Sequence, residues 1–528
     1  MNASEQKANE YYAQRLDQAP NFISEVFFLN MACHKYGMVS TLNRFEQISS
    51  EVNEMEKHYD RLKLEESSWA NNPEGQMMRA RFTRLGQQIQ TSSSLLVSHE
   101  VVLFDNEFQT RSYSFLMLAS TWILRMLDPQ KAFPQGVLQL PLPLPTPELF
   151  SNLPEYFVEI LSEFFLFISK YLPRIIGDNP NMELVYLSIT FLRSSAYIKN
   201  PYLKAKLVEI LFYGVMRQRD FPRGVLIDIL NSHPFAVENL MPAIMSFYIE
   251  VEQTGEHTQF YDKFNIRYHC SQIIKAIWNN PAQRERLADQ SRNNPEFFIR
   301  FVALLLNDVT YLLDESLSKL GEIHNLQMQL EAGQTGGEGG ETRQEQQQTL
   351  ASSERQATSY MSLGNENVSM FKLFTETIPD SFIISEVVDR LAAMLDYNLN
   401  ALVGPKCTNL KVKDPQKYRF DPRSLLSDIV QIYLNLRSKP AFILAIARDG
   451  RSYKKEMFIR AGDILLRYNV RSSTDIDDLK ALVDAIEQAK MEDEQGEEEL
   501  GEIPDDFLGE CDALPQTNSR PTYVHFDD

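Results

Sequence analysis

The stretch Asp421-Pro-Arg-Ser-Leu-Leu-Ser-Asp-Ile-Val-Gln-Ile-Tyr-Leu-Asn-Leu436 carries a full set of signals for an α-helix with one buried face. Asp421 can cap the amino end, and Pro422 suits the first helical position. Polar residues, among them Asp428 and Gln431, lie on one face. The opposite face carries the apolar residues Leu425, Leu426, Ile429, Val430, Ile432 and Tyr433. This stripe predicts a helix that packs against other helices.

The same pattern recurs along the chain. Ser473–Gln488 has an apolar face and Thr474 as its predicted cap, and Asn200-Pro201 starts a helix over Tyr202–Tyr213. Tyr156–Leu172 is apolar over a wide arc and should end at Pro173. Strand patterns and a fixed-period repeat are both missing from the sequence. We therefore expect an all-α protein, an elongated and irregular armadillo-like α-solenoid.

Two kinds of break divide the chain. Leu140–Pro147 is proline-rich and should be an extended connector; an SH3-type ligand is less favoured because no basic residue flanks it. The glycine- and glutamine-rich residues 331–362 predict a disordered linker, and the acidic tail from Met491 predicts a solvated spacer. The resulting divisions are a helical part over 1–140, a connector over 141–147, a central helical core over 148–330, the linker over 331–362, a C-terminal helical core over 363–490 and the tail over 491–528.

The charge and composition of the chain disfavour several classes of function. The formal net charge is -20, with 72 acidic and 52 basic residues, which disfavours nucleic-acid binding by the bulk of the chain. Arg451, Lys454 and Lys455 form a small basic cluster, which we interpret as a solvated helix face. The 4 cysteines show no C-x-x-C spacing and predict free thiols in a reducing compartment. The amino end has no secretory signal pattern, and the apolar stretch Ser112–Leu124 is too short to span a bilayer.

Motifs for chemistry are missing from the sequence, which contains neither a phosphate-binding loop nor a nucleophile elbow. Cys33-His34 and His269-Cys270 could in principle form a zinc site, but adjacent residues on a helix point about 100° apart and chelate poorly. Glu159 and Glu163 share a helix face without marking an acid–base pair. We therefore predict no catalytic, cofactor-binding or metal-binding residue, and no cofactor.

Several long segments resemble the core of the U-box ubiquitin chain-elongation factors, also called E-four type ubiquitin conjugation factors. The matching motifs have the composition of packing segments. They are Pro147–Phe157, Tyr197–Glu209, Gln259–His269, Phe301 with Asn307–Leu317, Leu402–Lys411 and Phe442–Lys455.

This resemblance implies an elongated body of armadillo-like repeats that takes part in extending ubiquitin chains on substrates already carrying ubiquitin, in the ubiquitin–proteasome pathway. It implies ubiquitin, a ubiquitin-conjugating enzyme, an AAA-type unfoldase and ubiquitin shuttle proteins as partners, and cytoplasm and nucleus as location. We expect a monomer that binds neither nucleic acid nor membrane.

The resemblance also implies a C-terminal U-box that engages the conjugating enzyme. Glu502–Leu508 resembles its first residues, whereas the sequence from Gly509 to Asp528 departs from the family pattern. We therefore expect a truncated U-box and little ligase activity from this chain alone. The alternative is a non-catalytic scaffold or competitor that binds the same partners. A karyopherin-like transport receptor also fits an acidic helical chain, but the ordered matches disfavour it.

Overall fold

A computed structural model describes residues 1–14, 19–64, 66, 75–180, 182–253, 260–331 and 343–501. Throughout these ranges the regular structure is helical, which confirms an all-α solenoid. The chain forms two compact units. The first comprises Met1–Val309 and Ser362–Met370, and the second comprises Thr310–Met361 and Phe371–Asp528.

The helices that begin in the first unit are α1 (Glu5–Ala13), α2 (Phe22–Cys33), α3 (Ser40–Leu64), α4 (Gly75–Leu103), α5 (Asn106–Leu127), α6 (Glu148–Asn152), α7 (Tyr156–Tyr171), α8 (Pro173–Asp178), α9 (Met182–Arg193), α10 (Pro201–Val215), α11 (Ile227–Ser232), α12 (Pro234–Glu250), α13 (Phe260–Ile277), α14 (Pro281–Asn293) and α15 (Pro295–Glu331). A six-residue π-helix, His34–Val39, joins α2 to α3.

The remaining helices are α16 (Arg343–Thr377), α17 (Ser385–Val403), α18 (Pro422–Leu436), α19 (Pro440–Arg448), α20 (Lys455–Arg467) and α21 (Ser473–Gly501). Short 3₁₀ turns cover Ser195–Tyr197, Val251–Gln253, Pro379–Phe382, Pro405–Leu410 and Pro415–Tyr418. Among the described residues, no helix is both long enough and apolar enough to cross a bilayer.

Packing in the central part of the first unit follows a solenoid rule, in which a helix contacts the helix two or three positions along the chain. Helix α7 packs on α10 and α10 on α13, while α9 packs on α12 and α12 on α14. This produces two rows of helices with an apolar layer between them, because α9 also packs on α10. In the second unit α21 contacts α18, α19 and α20, and α17 contacts the same three helices.

The helix predicted from the opening stretch is confirmed. Helix α18 begins at Pro422, and Asp421 Oδ1 accepts hydrogen bonds from the backbone N–H groups of Arg423 at 3.1 Å and Ser424 at 3.2 Å. All six predicted apolar residues are buried. The predicted helices at Tyr156 and Asn200-Pro201 are confirmed too, and Asn200 Oδ1 accepts from the Tyr202 N–H at 2.9 Å.

Two predictions were wrong in detail. Thr474 is not the cap of α21: the helix begins at Ser473, and Ser472 Oγ accepts from the Asp475 N–H at 3.2 Å. Residues 343–362 are not a linker but the first part of α16. Their few apolar residues suffice because Ala357, Tyr360 and Met361 recur at helical spacing and are buried. Residues 332–342 of the predicted linker lie outside the described residues.

The acidic tail is also more regular than its charge predicted. Helix α21 continues to Gly501, because glutamate and glutamine are good helix formers. Arg448 also contacts Asp493 at 2.6 Å and so ties α21 to α19. Residues 502–528, which include the segment resembling the start of a U-box, lie outside the described residues.

The proline-rich connector falls in a non-helical segment between α5 and α6. Leu142 is buried there, and its N–H donates to Ser194 Oγ at 2.9 Å. The Tyr197 hydroxyl donates to the Pro143 carbonyl. The segment is therefore anchored to the end of α9. The other domain boundaries remain a prediction.

A buried ionic network lies at the centre of the first unit. Arg267 on α13 is 1% exposed, and its guanidinium donates to Asp308 at 2.6 and 2.8 Å and to Glu252 at 2.7 Å. The Tyr248 hydroxyl donates to the same Asp308 carboxylate at 2.7 Å. Burial raises the pKa of Tyr248 well above its ordinary value, so its hydroxyl stays a donor. The network links α12, α13 and α15.

Removing one member of this network should destabilise the first unit strongly. We expect Asp308→Ala to cost about 3–5 kcal/mol, because it leaves the Arg267 guanidinium buried without its main counter-charge. Urea denaturation followed by circular dichroism measures the change. Asp228→Ala is the control: its ion pair with Arg223 is exposed, and its loss should change little. Equal effects of the two substitutions would contradict this view of the network.

Candidate partner-binding groove

An open groove of about 710 Å³ lies in the second unit. Its floor mixes apolar side chains with amides and carboxylates. The lining residues are Asp314, Leu317, Ser318, Gly321, Glu322, Asn325, Tyr397, Asn400, Ala401, Pro405, Leu410 and Lys454. We take this groove as the candidate functional site, because it is large and because most of its polar groups are hydrogen-bond acceptors.

Helical periodicity explains why these residues meet. The lining residues of α15, from Asp314 to Asn325, are spaced three or four positions apart and therefore share one face. On α17, Tyr397 and Asn400 are three positions apart and form the opposing wall. The 3₁₀ turn Pro405–Leu410 closes one side of the groove.

Hydrogen bonds fasten the walls together. The Tyr397 hydroxyl donates to Asp314 Oδ1 at 2.5 Å, and this bond raises the pKa of Tyr397 to about 12. His324 Nδ1 donates to the Lys411 carbonyl at 2.6 Å. The Lys413 N–H donates to Gln327 Oε1 at 3.1 Å. The turn that follows α17 is therefore attached to α15 at two points.

Gly404 is required where α17 enters this turn. Its N–H donates to the Asn400 carbonyl at 2.8 Å, which closes the helix end. A Cβ atom at this position would lie 2.3 Å from the Asn400 oxygen, far inside van der Waals contact. A glycine therefore allows the close approach that shapes the groove.

The groove is rich in hydrogen-bond acceptors. Asp314 and Glu322 contribute carboxylates, and Asn400 Oδ1 is buried with no donor among the described residues. Glu322 also accepts from Lys319 at 2.8 Å and from Ser353 at 3.3 Å. Lys454 is the single basic residue in the lining. Such a surface suits a partner segment that presents N–H donors.

Three of the segments that carried the resemblance contribute to this groove. Asn307–Leu317 supplies Asp314 and Leu317, Leu402–Lys411 supplies Pro405 and Leu410, and Phe442–Lys455 supplies Lys454. We had interpreted all of these segments as scaffold and predicted no binding residue. Local periodicity placed Asp314 on a helix surface, but the pairing of α15 with α17 is a long-range contact that periodicity does not reveal.

The other candidate residues have structural surroundings. Cys33 is exposed and Cys270 is buried. His269 stacks on Phe212 with ring centroids 4.2 Å apart, and burial lowers its pKa to about 4. In the part of the chain that the structure describes, no three histidine, cysteine, aspartate or glutamate residues cluster as metal ligands would.

The two glutamates on α7 are engaged in ion pairs. Glu159 contacts Lys35 at 2.5 Å, and Glu163 pairs with Lys206. In the basic cluster, Lys455 lies 3.9 Å from Glu487. These contacts join neighbouring helices and do not create a reactive centre.

Residues 1–487 match a protein-family model described as the ubiquitin elongating factor core. The chain belongs to this family. The chain is 43% identical over 510 residues to the ubiquitin conjugation factor E4 of Schizosaccharomyces pombe, covering 96% of this chain and 50% of that protein. It is 36% identical over 535 residues to the E4 ubiquitin-protein ligase UFD2 of Saccharomyces cerevisiae, covering 96% of this chain and 55% of that protein.

A probable ubiquitin conjugation factor E4 of Arabidopsis thaliana is 32% identical over 495 residues, covering 92% of this chain and 46% of that protein. The elongating factor core therefore spans about half the length of these relatives. The family resemblance predicted from the quoted segments is confirmed, and it covers both structural units.

The groove geometry makes Gly404 sensitive to substitution. We expect Gly404→Ala to cost about 1–3 kcal/mol, because the added methyl group overlaps the Asn400 carbonyl and forces the turn away. Gly450→Ala in the same unit is the control, since a Cβ there meets nothing within 4 Å. Thermal denaturation of both variants checks this. A Gly404→Ala protein as stable as the Gly450→Ala protein would refute the proposed close approach.

Proposed function

We propose that this chain supplies the helical core of a ubiquitin chain-elongation factor, which acts on substrates that already carry ubiquitin. The observation that carries the proposal is the match of residues 1–487 to the elongating factor core family. The printed names of the relatives, a ubiquitin conjugation factor and a ubiquitin-protein ligase, support a role in ubiquitin transfer.

In this proposal the core positions the substrate for ubiquitin transfer and forms no covalent bond with it. A factor that holds the substrate near a charged conjugating enzyme accelerates transfer by proximity and orientation, which can lower a barrier by about 7–11 kcal/mol. A rigid helical body is suited to that role because its packed rows keep binding surfaces at fixed positions. The chemistry would occur between ubiquitin molecules and the conjugating enzyme, which a U-box engages in this family.

The partners follow from the same proposal. We expect ubiquitin, an AAA-type unfoldase and ubiquitin shuttle proteins to associate with the assembled factor in cytoplasm and nucleus, with the core as a monomer. We assign the groove of the second unit to one such partner. Asp314 and Glu322 would accept hydrogen bonds from lysine or arginine side chains, and Leu317 would contact the apolar part of the same segment.

The second candidate function is a non-catalytic scaffold or competitor. The chain aligns with 50% of the S. pombe relative, and a polypeptide that shares part of a relative's surface can bind the same partners. Such a chain would occupy substrates or partners and slow elongation by the complete factor.

Reconstituted elongation separates these functions. The reaction contains activating enzyme, conjugating enzyme, ubiquitin and a ubiquitin-fused substrate, with or without the S. cerevisiae relative. We expect this chain alone to leave the ubiquitin chains short. In molar excess over the relative, it should shorten the products by competition. If this chain extends the ubiquitin chains without the relative, the elongation activity lies within this chain. No effect at large excess, together with no binding to substrate or partner, would overturn both functions.

The groove can be tested in the same assay. Gly321 lines it, and a Cβ at this position meets nothing within 4 Å, so a large side chain can fill the groove without displacing its walls. We expect Gly321→Phe to weaken competition. The concentration of the chain that is needed to shorten the products should rise at least tenfold. Gly321→Ala is the matched control and should compete normally. Normal competition by Gly321→Phe would remove the groove from the proposal while leaving the family role intact.

A further inference from the structure

Outside the groove lining, the second unit buries a cluster of acidic and phenolic side chains. Asp396 on α17 is 1% exposed, and the Tyr433 hydroxyl of α18 donates to its Oδ1 at 2.6 Å. Asp449, at the carboxyl end of α19, brings a second carboxyl group to the same site. Neither carboxyl group forms an ion pair with a lysine or arginine within the described part of the chain.

Each of these two carboxyl groups has one buried oxygen without a donor among the described residues. These oxygens are Asp396 Oδ2 and Asp449 Oδ2. The other oxygen of Asp449 accepts from the N–H groups of Arg451 and Ser452, each at 3.2 Å, and so shapes the turn that follows α19. Two buried carboxylates side by side repel each other, whereas one shared proton turns the contact into a strong hydrogen bond.

We propose that the protonated Asp396 carboxyl donates to Asp449 and forms a proton-dependent latch, which holds the turn Asp449–Ser452 against helix α17. The Asp396 carboxyl donates from Oδ2 to Asp449 Oδ2 and accepts from Tyr433 at Oδ1. When the proton leaves, two negative charges face each other in a buried site, and the turn separates from α17. The turn leads directly to Lys454, which lines the groove, so the latch controls one edge of that surface.

Burial and the neighbouring Asp449 favour retention of the proton by Asp396, against the hydrogen bond from Tyr433, which favours the charged form. Tyr433 and Tyr453 face the pair with neutral hydroxyls, because burial raises the pKa of both phenols above the ordinary value. Glu487 accepts from the Tyr453 hydroxyl at 2.7 Å, and Glu456 adds a further negative charge nearby. Lys455 is the nearby cation, and it lies by Glu487 at 3.9 Å. Burial, followed by the presence of Asp449, raises the pKa of Asp396 to about 8.

The direction of the pH effect follows from this shift. The folded-state pKa of Asp396 exceeds the ordinary value of 3.8, so the folded state binds the proton more tightly than the unfolded state. The latch contributes its full stabilisation below about pH 4, the ordinary value, and this contribution is lost as the pH rises through about 8. Between these values each pH unit should raise the unfolding equilibrium constant of the second unit about tenfold.

Asp396→Asn tests the latch. The asparagine amide keeps the shape, donates from Nδ2 to Asp449 and accepts from Tyr433, so it mimics the protonated acid without titrating. We expect denaturant titrations at pH 5, 6, 7 and 8 to show that the unfolding constant of the unsubstituted protein rises about tenfold per pH unit relative to the variant. Parallel pH profiles for the two proteins would overturn the proposal.

A local readout distinguishes the latch from a general effect on stability. Hydrogen exchange should show that the Arg451 and Ser452 amides lose protection between pH 6 and 8.5, relative to Asp396→Asn, while amides of the first unit do not. The exposed Asp463→Asn is the control and should behave as the unsubstituted protein does. If Asp396→Asn fails to fold, Asp449→Asn places the same amide donor on the opposite side. Equal protection in all proteins at both pH values would refute the latch.

Discussion

The ion pair between Arg267 and Asp308 is the contact on which the order of the first unit depends. A buried guanidinium is tolerated only where its charge is matched and its N–H groups have acceptors. Asp308, Glu252 and the Tyr248 carbonyl accept from both Nη groups of Arg267 and come from different elements. Helices α12, α13 and α15 must therefore pack in one register, because sliding any of them would leave a charge buried alone. Apolar packing supplies most of the stability of these rows, and the ion pair selects among the possible packings.

Partly exposed ion pairs also favour one packing of other helices, but each contributes less free energy than the buried pair. Glu159 and Glu163 of α7 reach Lys35 and Lys206 on neighbouring elements, and Lys170 of α7 contacts Glu46 of α3 at 3.1 Å. Each such pair contributes little alone because water screens it. Together they favour one arrangement of these helices, in which Glu46, Glu159 and Glu163 each face a lysine. This explains how an acidic chain with a net charge of -20 keeps its helices closely packed.

Hydrophobic periodicity and capping residues predicted the helices. The features that these local patterns did not predict depend on contacts between residues far apart in the sequence. The stripe of α18 and its Asp421 cap were readable because both depend on residues close in sequence. Helix α16 was missed where Gln and Ser dominate, since Tyr360 and Met361 are buried only through contacts made elsewhere in the fold. The groove has the same origin. Asp314 is a plain surface aspartate by periodicity, and it becomes part of a site because Tyr397, 83 positions away, donates to it.

Two buried aspartates show how surroundings decide what a carboxyl group can do. Asp308 lies against a guanidinium, so its charge is used to hold helices in register. Asp396 is buried beside a second carboxyl group instead, which favours the neutral acid and makes its contact depend on a proton, whereas the hydrogen bond from the Tyr433 phenol favours the charged form. The first arrangement suits a permanent scaffold, and the second suits a joint that can open. The openable joint lies next to the turn that borders the groove, where a binding surface benefits from adjustment, while the permanent one lies deep within the helical rows.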